Sequence, residues 1–258
     1  MKSIVLICLS FLLIACINPE VKHKHNKSVL VVMAHPDDET WVSGTLAKLI
    51  DVGLTIVPIY ITSGDRGTDR SGKGLSASFL AQEREIEALN AAKILGLSSP
   101  IFLRFPDGKV KSHVTAVSSK LELLKSQYNP LMTLTFDPLG ITGNKDHQVA
   151  SNITSKVFDN KVIYFSISET RANKFTEYAK NNGIDFKIKY PISDDAVIRK
   201  VDTADFSKHR VETMKQHKTQ FVPQFIAVFS KFIEKQTQEE FVITDNETVK
   251  LFDKYISK

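Results

Sequence analysis

One histidine and two aspartates lie close together near the start of the chain. His35, Asp37 and Asp38 directly follow an apolar run at residues 29–33, which predicts a buried strand. Apolar residues then recur near helical spacing beyond residue 40, so the three side chains are expected where a strand ends and a helix begins. Ligands of open α/β sheets bind at such positions, and an imidazole nitrogen beside a carboxylate suits a divalent metal. The alternative is a capped turn, in which Asp37 or Asp38 accepts hydrogen bonds from helix N–H groups.

A second pair of the same kind, Asp146 and His147, lies much later in the chain. It follows another apolar run, at residues 131–136, and a polar loop that contains glycine. His147 adds a third ligand-type side chain to His35 and Asp38. Two histidines and one carboxylate leave a coordination position open, as in catalytic zinc sites, and the same set suits ferrous iron.

Five short apolar runs predict the strands that position these pairs. The strands are expected at residues 29–33, 55–62, 101–105, 131–136 and 162–166, with helices at residues 77–95, 113–128 and 146–158. This alternation predicts an α/β fold with a mostly parallel sheet and helices on both faces. Both pairs would then lie at the carboxyl-terminal edge of that sheet.

Other parts of the pattern concern one helix and the last third of the chain. The helix at residues 77–95 is expected to have an apolar side made of Phe79, Leu80, Ile86, Leu89, Ile94 and Leu95. Residues 186–190 and 197–201 predict a hairpin or edge strands, helices are expected at residues 206–217 and within 225–235, and residues 241–244 are ambiguous.

The composition is typical of one α/β domain. The chain has 258 residues, of which 42% are hydrophobic, and this suffices for one core. The formal charge of +5 is spread along the chain rather than clustered, so no nucleic-acid partner is expected. A nucleotide-binding function of the Rossmann type is disfavoured because no Gly-x-Gly-x-x-Gly motif opens the first helix.

The first residues predict export and a lipid anchor. Residues 1–15 combine a positive start with a short apolar stretch, which is typical of a secretory signal peptide. The segment Leu-Ile-Ala-Cys that ends at Cys16 resembles a bacterial lipobox, which would place lipid on Cys16; the alternative is a chance cysteine in a signal region. Residues 16–27 would form a tether and residues 28–258 the single domain. We expect a membrane-anchored bacterial lipoprotein that faces the periplasm or the cell exterior.

Six segments, in order, resemble the LmbE/PIG-L family of metal-dependent N-acetylglucosaminyl de-N-acetylases. Its first signature resembles Ala-His-Pro-Asp-Asp-Glu at residues 34–39, and its second resembles Gly-Ile-Thr-Gly-Asn-Lys-Asp-His at residues 140–147. The other four lie at residues 62–65, 84–96, 106–108 and 217–220. The resemblance implies a three-layer Rossmann-like (LmbE-like) fold. It also implies removal of the N-acetyl group from an N-acetylglucosamine-type sugar or its conjugate, either small or lipid-linked.

The resemblance also implies roles for the residues of both pairs. It implies that His35, Asp38 and His147 bind the metal, zinc or alternatively ferrous iron. It assigns Asp37 as the general base that takes a proton from metal-activated water. Asp146 would lie behind the ligands and orient a neighbouring imidazole or the loop.

The chain departs from this family at residue 144, where the family usually has histidine. That histidine is associated with oxyanion stabilisation and with protonation of the leaving amine. Asn144 can donate a hydrogen bond to an oxyanion but cannot exchange a proton at neutral pH. The acid role would then pass to protonated Asp37, to His217 if it reaches the site, or to no residue. The alternative function is therefore a metal-containing sugar-binding lipoprotein with little or no turnover.

Three further residues are predicted near the substrate: Arg66, Arg84 and His217. Arg84 would lie beside the substrate or help to hold the neighbouring loop. Arg66 could reach a sugar hydroxyl or an anionic substituent, or it could be a solvated loop cation. His217 could instead be a helix-end histidine near the last carbonyl groups of its helix.

Overall fold

One seven-stranded sheet organises residues 27–257, the part of the chain that the computed structural model describes. Its strands in chain order are β1 (Ser28–Met33), β2 (Thr55–Thr62), β3 (Ile101–Phe105), β4 (Met132–Phe136), β5 (Val162–Ser166), β6 (Arg199–Asp202) and β7 (Gln238–Val242). The predicted signal peptide, Cys16 and all of the predicted tether except Lys27 lie outside the described residues.

The order across the sheet is β3-β2-β1-β4-β5-β7-β6. The first five strands in chain order pair in parallel, whereas β7 is antiparallel to both β5 and β6. Every residue of β1 is buried, as expected for a central strand covered on both faces. The direction of strand order reverses between β1 and β4, so the crevice above their carboxyl ends is the place where such folds bind ligands.

Eight α-helices surround this sheet in the described part of the chain. They are α1 (Ser43–Asp51), α2 (Ala77–Leu95), α3 (Val114–Tyr128), α4 (Lys145–Phe158), α5 (Glu169–Asn181), α6 (Ser207–Met214), α7 (Pro223–Lys235) and α8 (Asn246–Ile256). Helix α3 packs on α4, α2 packs on α6, and α5 packs on α7. The arrangement confirms the predicted α/β class with a mostly parallel central sheet. Within residues 27–257, none of the helices has the length and apolar character that crossing a bilayer demands.

The predicted apolar side of α2 is wrong in part. Leu80 and Leu95 are buried, but four of its apolar residues are between 39% and 68% exposed: Phe79, Ile86, Leu89 and Ile94. The buried face instead carries three alanines together with Arg84 and Glu87. These two charged side chains bond to residues just beyond α6, so polar contacts, and not an apolar stripe, fix the orientation of α2.

The last third also differs from its prediction. Residues 186–190 form no strand, but the predicted segment 197–201 does contain most of the edge strand β6. Strand β6 pairs with β7, whose sequence had been ambiguous. Helices α6 and α7 lie within the predicted segments or within two residues of them, while α5 and α8 were not predicted. The result is an antiparallel pair added to one edge of a parallel sheet.

Candidate metal centre and active site

Hydrogen bonds within the turn after β1 fix the conformation that places its acidic and imidazole side chains. Oδ2 of Asp38 accepts hydrogen bonds from the backbone N–H groups of Ala34, at 3.1 Å, and His35, at 2.7 Å. A short 3-10 helix then begins at Asp38, and Asp37 before it has a φ of 120°. A side chain at such a φ is uncommon and costs about 1–3 kcal/mol, so the surrounding structure holds Asp37 in place.

The turn after β1 meets the first turn of α4 at the reversal point of the sheet. Nδ1 of His35 lies 3.2 Å from Nε2 of His147, which in turn lies 3.2 Å from Oδ1 of Asp38. All three residues are buried, and their ligand-type atoms lie within 4.8 Å of one another. The structure therefore brings together the three residues predicted to bind a metal.

Hydrogen bonds fix the outer nitrogen of each imidazole. Nδ1 of His147 lies 3.1 Å from the carbonyl oxygen of Gly140, and its ring stacks on Phe136 with 4.0 Å between centroids. Nε2 of His35 lies 3.1 Å from Oδ1 of Asp107. Each outer nitrogen thus faces an acceptor, so that the inner nitrogens would turn their lone pairs toward a bound metal, as in histidines that bind metals.

The donor set fits a divalent metal. Ligand atoms bound tetrahedrally to zinc lie about 3.3 Å apart, close to the separations between His147 and its two partners. Two imidazoles and one carboxylate suit zinc or ferrous iron, and both are borderline metals that accept nitrogen and oxygen.

The two adjacent aspartates have opposite pKa shifts. Burial alone would raise the pKa of Asp38, but His147 and His35 hold it well below its usual range. Burial and the neighbouring charge of Asp38 raise the pKa of Asp37 to about 7. Asp38 thus remains a carboxylate, while Asp37 can hold or release a proton near neutral pH.

The buried carboxylate of Glu39 holds the backbone of Asp37 through a hydrogen bond. Glu39 accepts hydrogen bonds from the hydroxyl of Tyr60, at 2.7 Å, and from the backbone N–H of Asp37, at 3.2 Å. Its other oxygen bonds to Nε2 of His217. His217 is fully buried and does not line the cavity, so its predicted contact with substrate is corrected to a supporting contact with Glu39.

Asn144 and Asp146 occupy the start of α4. Oδ1 of Asn144 caps this helix by accepting the N–H of Asp146 at 2.8 Å, so its amide N–H groups remain available as donors. Asp146 is buried and accepts the N–H of Gly108 at 2.6 Å, and its carboxylate lies 3.8 Å from Nε2 of His35. It therefore lies behind the ligands, where it holds the turn that contains Asp107.

The two predicted arginines differ in position. Arg84 is buried, lines the cavity and donates to Oε1 of Gln220 at 2.6 Å. It also lies against Gly64 and Gly67, because a Cβ added at either glycine would approach the guanidinium within 2.6 Å. Arg66 is exposed and does not line the cavity; only its backbone N–H contacts the site region, through Asp107.

A cavity of about 370 Å³ opens above the ligands. Its wall contains six of the residues predicted from sequence: His35, Asp37, Asp38, Arg84, Asn144 and His147. Arg66, Asp146 and His217 do not belong to it. Sequence reasoning missed Asp107 as a partner of His35, although its position after a parallel strand, at the same sheet edge, was an available signal.

Comparison with known proteins gives a family match over the half of the chain that contains the three candidate metal-binding residues. The profile of the PIG-L family, described as GlcNAc-PI de-N-acetylase, matches residues 30–158. An uncharacterized deacetylase, YaiS, from Escherichia coli K12 is 35% identical over 103 residues, covering 39% of this chain and 50% of the relative. The diacetylchitobiose deacetylase of Thermococcus kodakarensis is 32% identical over 126 residues, covering 48% of this chain and 46% of the relative. The matched part of the chain spans about half the length of these two curated relatives.

Solved structures show the same fold over a longer stretch. The N,N'-diacetylchitobiose deacetylase from Pyrococcus horikoshii, complexed with its inhibitor MPG, superposes with a TM-score of 0.64 at 20% identity. The superposition covers 84% of each chain. The LmbE-like three-layer α/β arrangement predicted from the sequence is therefore confirmed.

Proposed function

Because the chain belongs to the PIG-L family, we propose that it is a metal-dependent hydrolase that removes an N-acetyl group from an N-acetylglucosamine-type sugar or its conjugate. The observation that carries this proposal is the buried group of His35, Asp38 and His147 in a cavity wall, with Asp37 beside it. The relatives named above, described as deacetylases, support the reaction type.

His35, Asp38 and His147 would hold the metal, with zinc as the first choice and ferrous iron as the alternative. When bound there, the ion would lower the pKa of an attached water and polarise the acetamide carbonyl. Asp107 and the carbonyl oxygen of Gly140 keep the two imidazoles oriented through their outer nitrogens.

Asp37 acts as the proton carrier of the reaction. Its carboxylate accepts a proton as the water oxygen bonds to the acetamide carbon. The C–N bond then breaks, the amine nitrogen receives that proton from Asp37, and acetate and the free amino sugar are the products. A pKa of about 7 suits a group that must work in both directions. The side-chain amide of Asn144 would donate to the developing oxyanion, because its oxygen is already used to cap α4.

The decisive experiment replaces Asp37 with asparagine and measures acetate release from a panel of N-acetylglucosamine conjugates. We expect kcat to fall at least about 100-fold, the smallest usual contribution of general acid–base catalysis. The metal content should stay unchanged, because Asp37 is not a ligand. Asp51→Asn, at the exposed end of α1, is the control and should retain activity. Unchanged turnover in Asp37→Asn would rule out this base.

One observation favours a second candidate function, a metal-containing sugar-binding protein with little turnover. Asn144 stands where the family usually has histidine, so the cavity lacks that proton-exchanging side chain. Purified protein that binds one metal per chain and also binds amino sugars, but releases no acetate from any of them, would support this second candidate.

We also propose that the protein is exported and anchored to a membrane through lipid on Cys16. The support is the sequence of residues 1–16 alone. Cys16→Ser should move the protein from the membrane fraction to the soluble fraction after lysis, as followed by immunoblotting. Continued membrane association of the variant would contradict the anchor.

A further inference from the structure

The cavity continues beyond the metal centre into an apolar compartment. We call it the phenylalanine chamber and define it by six residues that line the cavity: Phe175, Phe186, Phe221, Phe225, Phe229 and Phe232. None of these side chains belongs to the proposed catalytic group. The compartment therefore needs an explanation beyond the reaction itself.

Helix α7 supplies one continuous wall of this chamber. Phe225, Phe229 and Phe232 recur at helical spacing, so they share one face of α7. The rings of Phe221, Phe225 and Phe229 lie nearly parallel in a row, with centroids 5.5 Å and 6.3 Å apart. Phe175 of α5 meets this row edge-on, so α5 contributes to the same aromatic cluster.

Not all aromatic side chains of the chamber are fully buried, as they would be in a hydrophobic core. Phe186, Phe221, Phe225 and Phe229 remain only half-buried although each contacts other aromatic rings. All four also line the cavity, so an apolar group bound there would contact them. Burial of their surface by an apolar group would be favourable, because it removes apolar area from water.

Charged residues that α5, α6 and β7 contribute to the cavity wall already have partners within the protein. Nε of Arg210 lies 3.1 Å from Glu239, and Glu240 accepts a hydrogen bond from the backbone N–H of Ser168 at 2.7 Å. Arg171 faces the ring of Phe232 with 6.0 Å between the guanidinium carbon and the centroid. This wall therefore favours an uncharged apolar occupant over an ionic one.

The chamber also lies outside the part of the chain that matches the family. The profile match ends at residue 158, whereas the six phenylalanines lie between residues 175 and 232. The metal centre thus comes from the part of the chain that the profile matches, and the chamber comes from the carboxyl-terminal elements that follow it.

We propose that the phenylalanine chamber binds an alkyl or aryl aglycone carried by the amino sugar. This inference rests on the proposed function, which places the acetamide group at the metal centre. Because the proposed leaving group is acetyl, the apolar group belongs to the retained part of the substrate. The substrate class is then an apolar glycoside of N-acetylglucosamine rather than the free sugar.

The test measures binding separately from catalysis. The full-length, metal-loaded Asp37→Asn protein is titrated calorimetrically with methyl and n-octyl N-acetyl-β-D-glucosaminide, the latter below its critical micelle concentration. We expect the octyl glycoside to bind at least about tenfold more tightly, since burial of only two methylene groups suffices for that factor. Equal dissociation constants would overturn the proposal.

A third probe distinguishes the aglycone from a long acyl group. If the methyl glycoside of N-octanoylglucosamine gains affinity and the octyl N-acetyl glycoside does not, the chamber holds the acyl chain and the proposal fails. Tight binding of the octyl N-acetyl glycoside alone supports it. These three titrations need no chamber variant and decide the question even if such variants do not fold.

Chamber variants locate the binding site. Phe225→Asn and Phe229→Asn should each reduce the octyl-to-methyl preference at least about threefold, because a polar amide replaces the apolar surface. Phe206→Asn is the matched control, since Phe206 is half-buried but does not line the cavity, and it should keep the preference. A preference that survives in both chamber variants would overturn the assignment.

Acetate release by the wild-type protein separates the two proposals. If neither glycoside is hydrolysed but the octyl preference exists and is lost in the chamber variants, the proposed hydrolase fails and the chamber stands. If both glycosides are hydrolysed and bind equally well, the hydrolase stands and the chamber fails.

Discussion

In the candidate metal centre, the outer nitrogen of each imidazole faces a hydrogen-bond acceptor of the protein. For His147 the acceptor is a backbone carbonyl, which no side-chain substitution removes. For His35 it is the carboxylate of Asp107, which lies on a turn held by Asp146 and Asp65. The orientation of His35 therefore depends on a single replaceable side chain.

Removal of that side chain should weaken metal binding. Asp107→Ala leaves Nε2 of His35 without this acceptor, and loss of such a partner usually reduces metal affinity about 10- to 100-fold. Competition with a chromophoric chelator measures the affinity. Asp107→Asn keeps an acceptor oxygen and should recover most of it, whereas Asp69→Ala, whose carboxylate serves its own loop, should have no effect. Equal affinities in all variants would contradict the role of Asp107.

The buried pair of His217 and Glu39 predicts a pH dependence of stability. Burial by itself would lower the pKa of His217, but Glu39, with further contributions from Asp37 and Glu87, raises it above 6.5. Because the folded pKa is higher than the unfolded one, this contribution is complete below pH 6.5 and is lost as the pH rises through the folded pKa.

The wild-type free energy of unfolding should therefore decline above about pH 6.5, and the decline should be shallower in His217→Gln, which has no titrating imidazole. Urea unfolding between about pH 6 and pH 9 measures both curves. Parallel curves for the two proteins would show that His217 does not carry this proton in the folded state.

Residue types near the sheet edge allowed the ligand group to be predicted, but not its supports. His35, Asp38 and His147 carry ligand chemistry in their side chains, so their types alone suggested a metal. Asp107 resembles an ordinary turn residue, and only its distance to His35 distinguishes it. The carboxylate that His217 contacts lies 178 positions away in sequence, so local pattern could not identify it.

At the scale of the elements, the loop after β2 is held by contact between glycine backbone and Arg84. Gly64 has a φ of +68°, and a Cβ at this position would lie 2.6 Å from Nη1 of Arg84. Gly74 in the same loop has the same φ, but nothing lies within 4 Å of its would-be Cβ. The two glycines thus differ in packing and not in backbone conformation.

Alanine substitutions at Gly64 and Gly74 should separate the cost of a left-handed backbone from the cost of displacing Arg84. Both variants lose about 1–2 kcal/mol for a left-handed backbone. Gly64→Ala should lose roughly 1–3 kcal/mol more, because Arg84 must leave its hydrogen bond with Gln220. Denaturant unfolding of both variants measures the difference, and equal losses would mean that the loop does not rest on Arg84.

Helices and strands were predicted correctly where the spacing of apolar residues matches the spacing of buried positions. Strands β1 to β5 and helices α3 and α4 follow apolar runs or helical spacing, so their segments were expected to within a few residues. Helix α2 was expected at the correct residues, but four of its large apolar side chains are exposed and two charged side chains are buried, so its buried face was predicted only in part. Strand β6 was expected as part of a hairpin or as an edge strand, whereas β7 is short, carries two glutamates and remained ambiguous from local sequence.

For the whole molecule, alternation of strands and helices was enough to predict the α/β class and the sheet edge at which the site forms. It could not predict the cavity, because its far wall comes from α5 and α7 and depends on how the last third packs. The half that contains the candidate metal-binding residues could thus be predicted from sequence, and the half that forms the far wall of the cavity could not.

The antiparallel pair at the sheet edge also constrains the order in which the nascent chain can assemble. During synthesis the five parallel strands and both histidines emerge by residue 166, and they can pair at once. The outer neighbour of β5 is β7, so that edge stays open until residues 238–242 have left the ribosome. The three candidate metal-binding residues have therefore all been synthesised by residue 147, whereas the wall that encloses their cavity also needs residues 166–240.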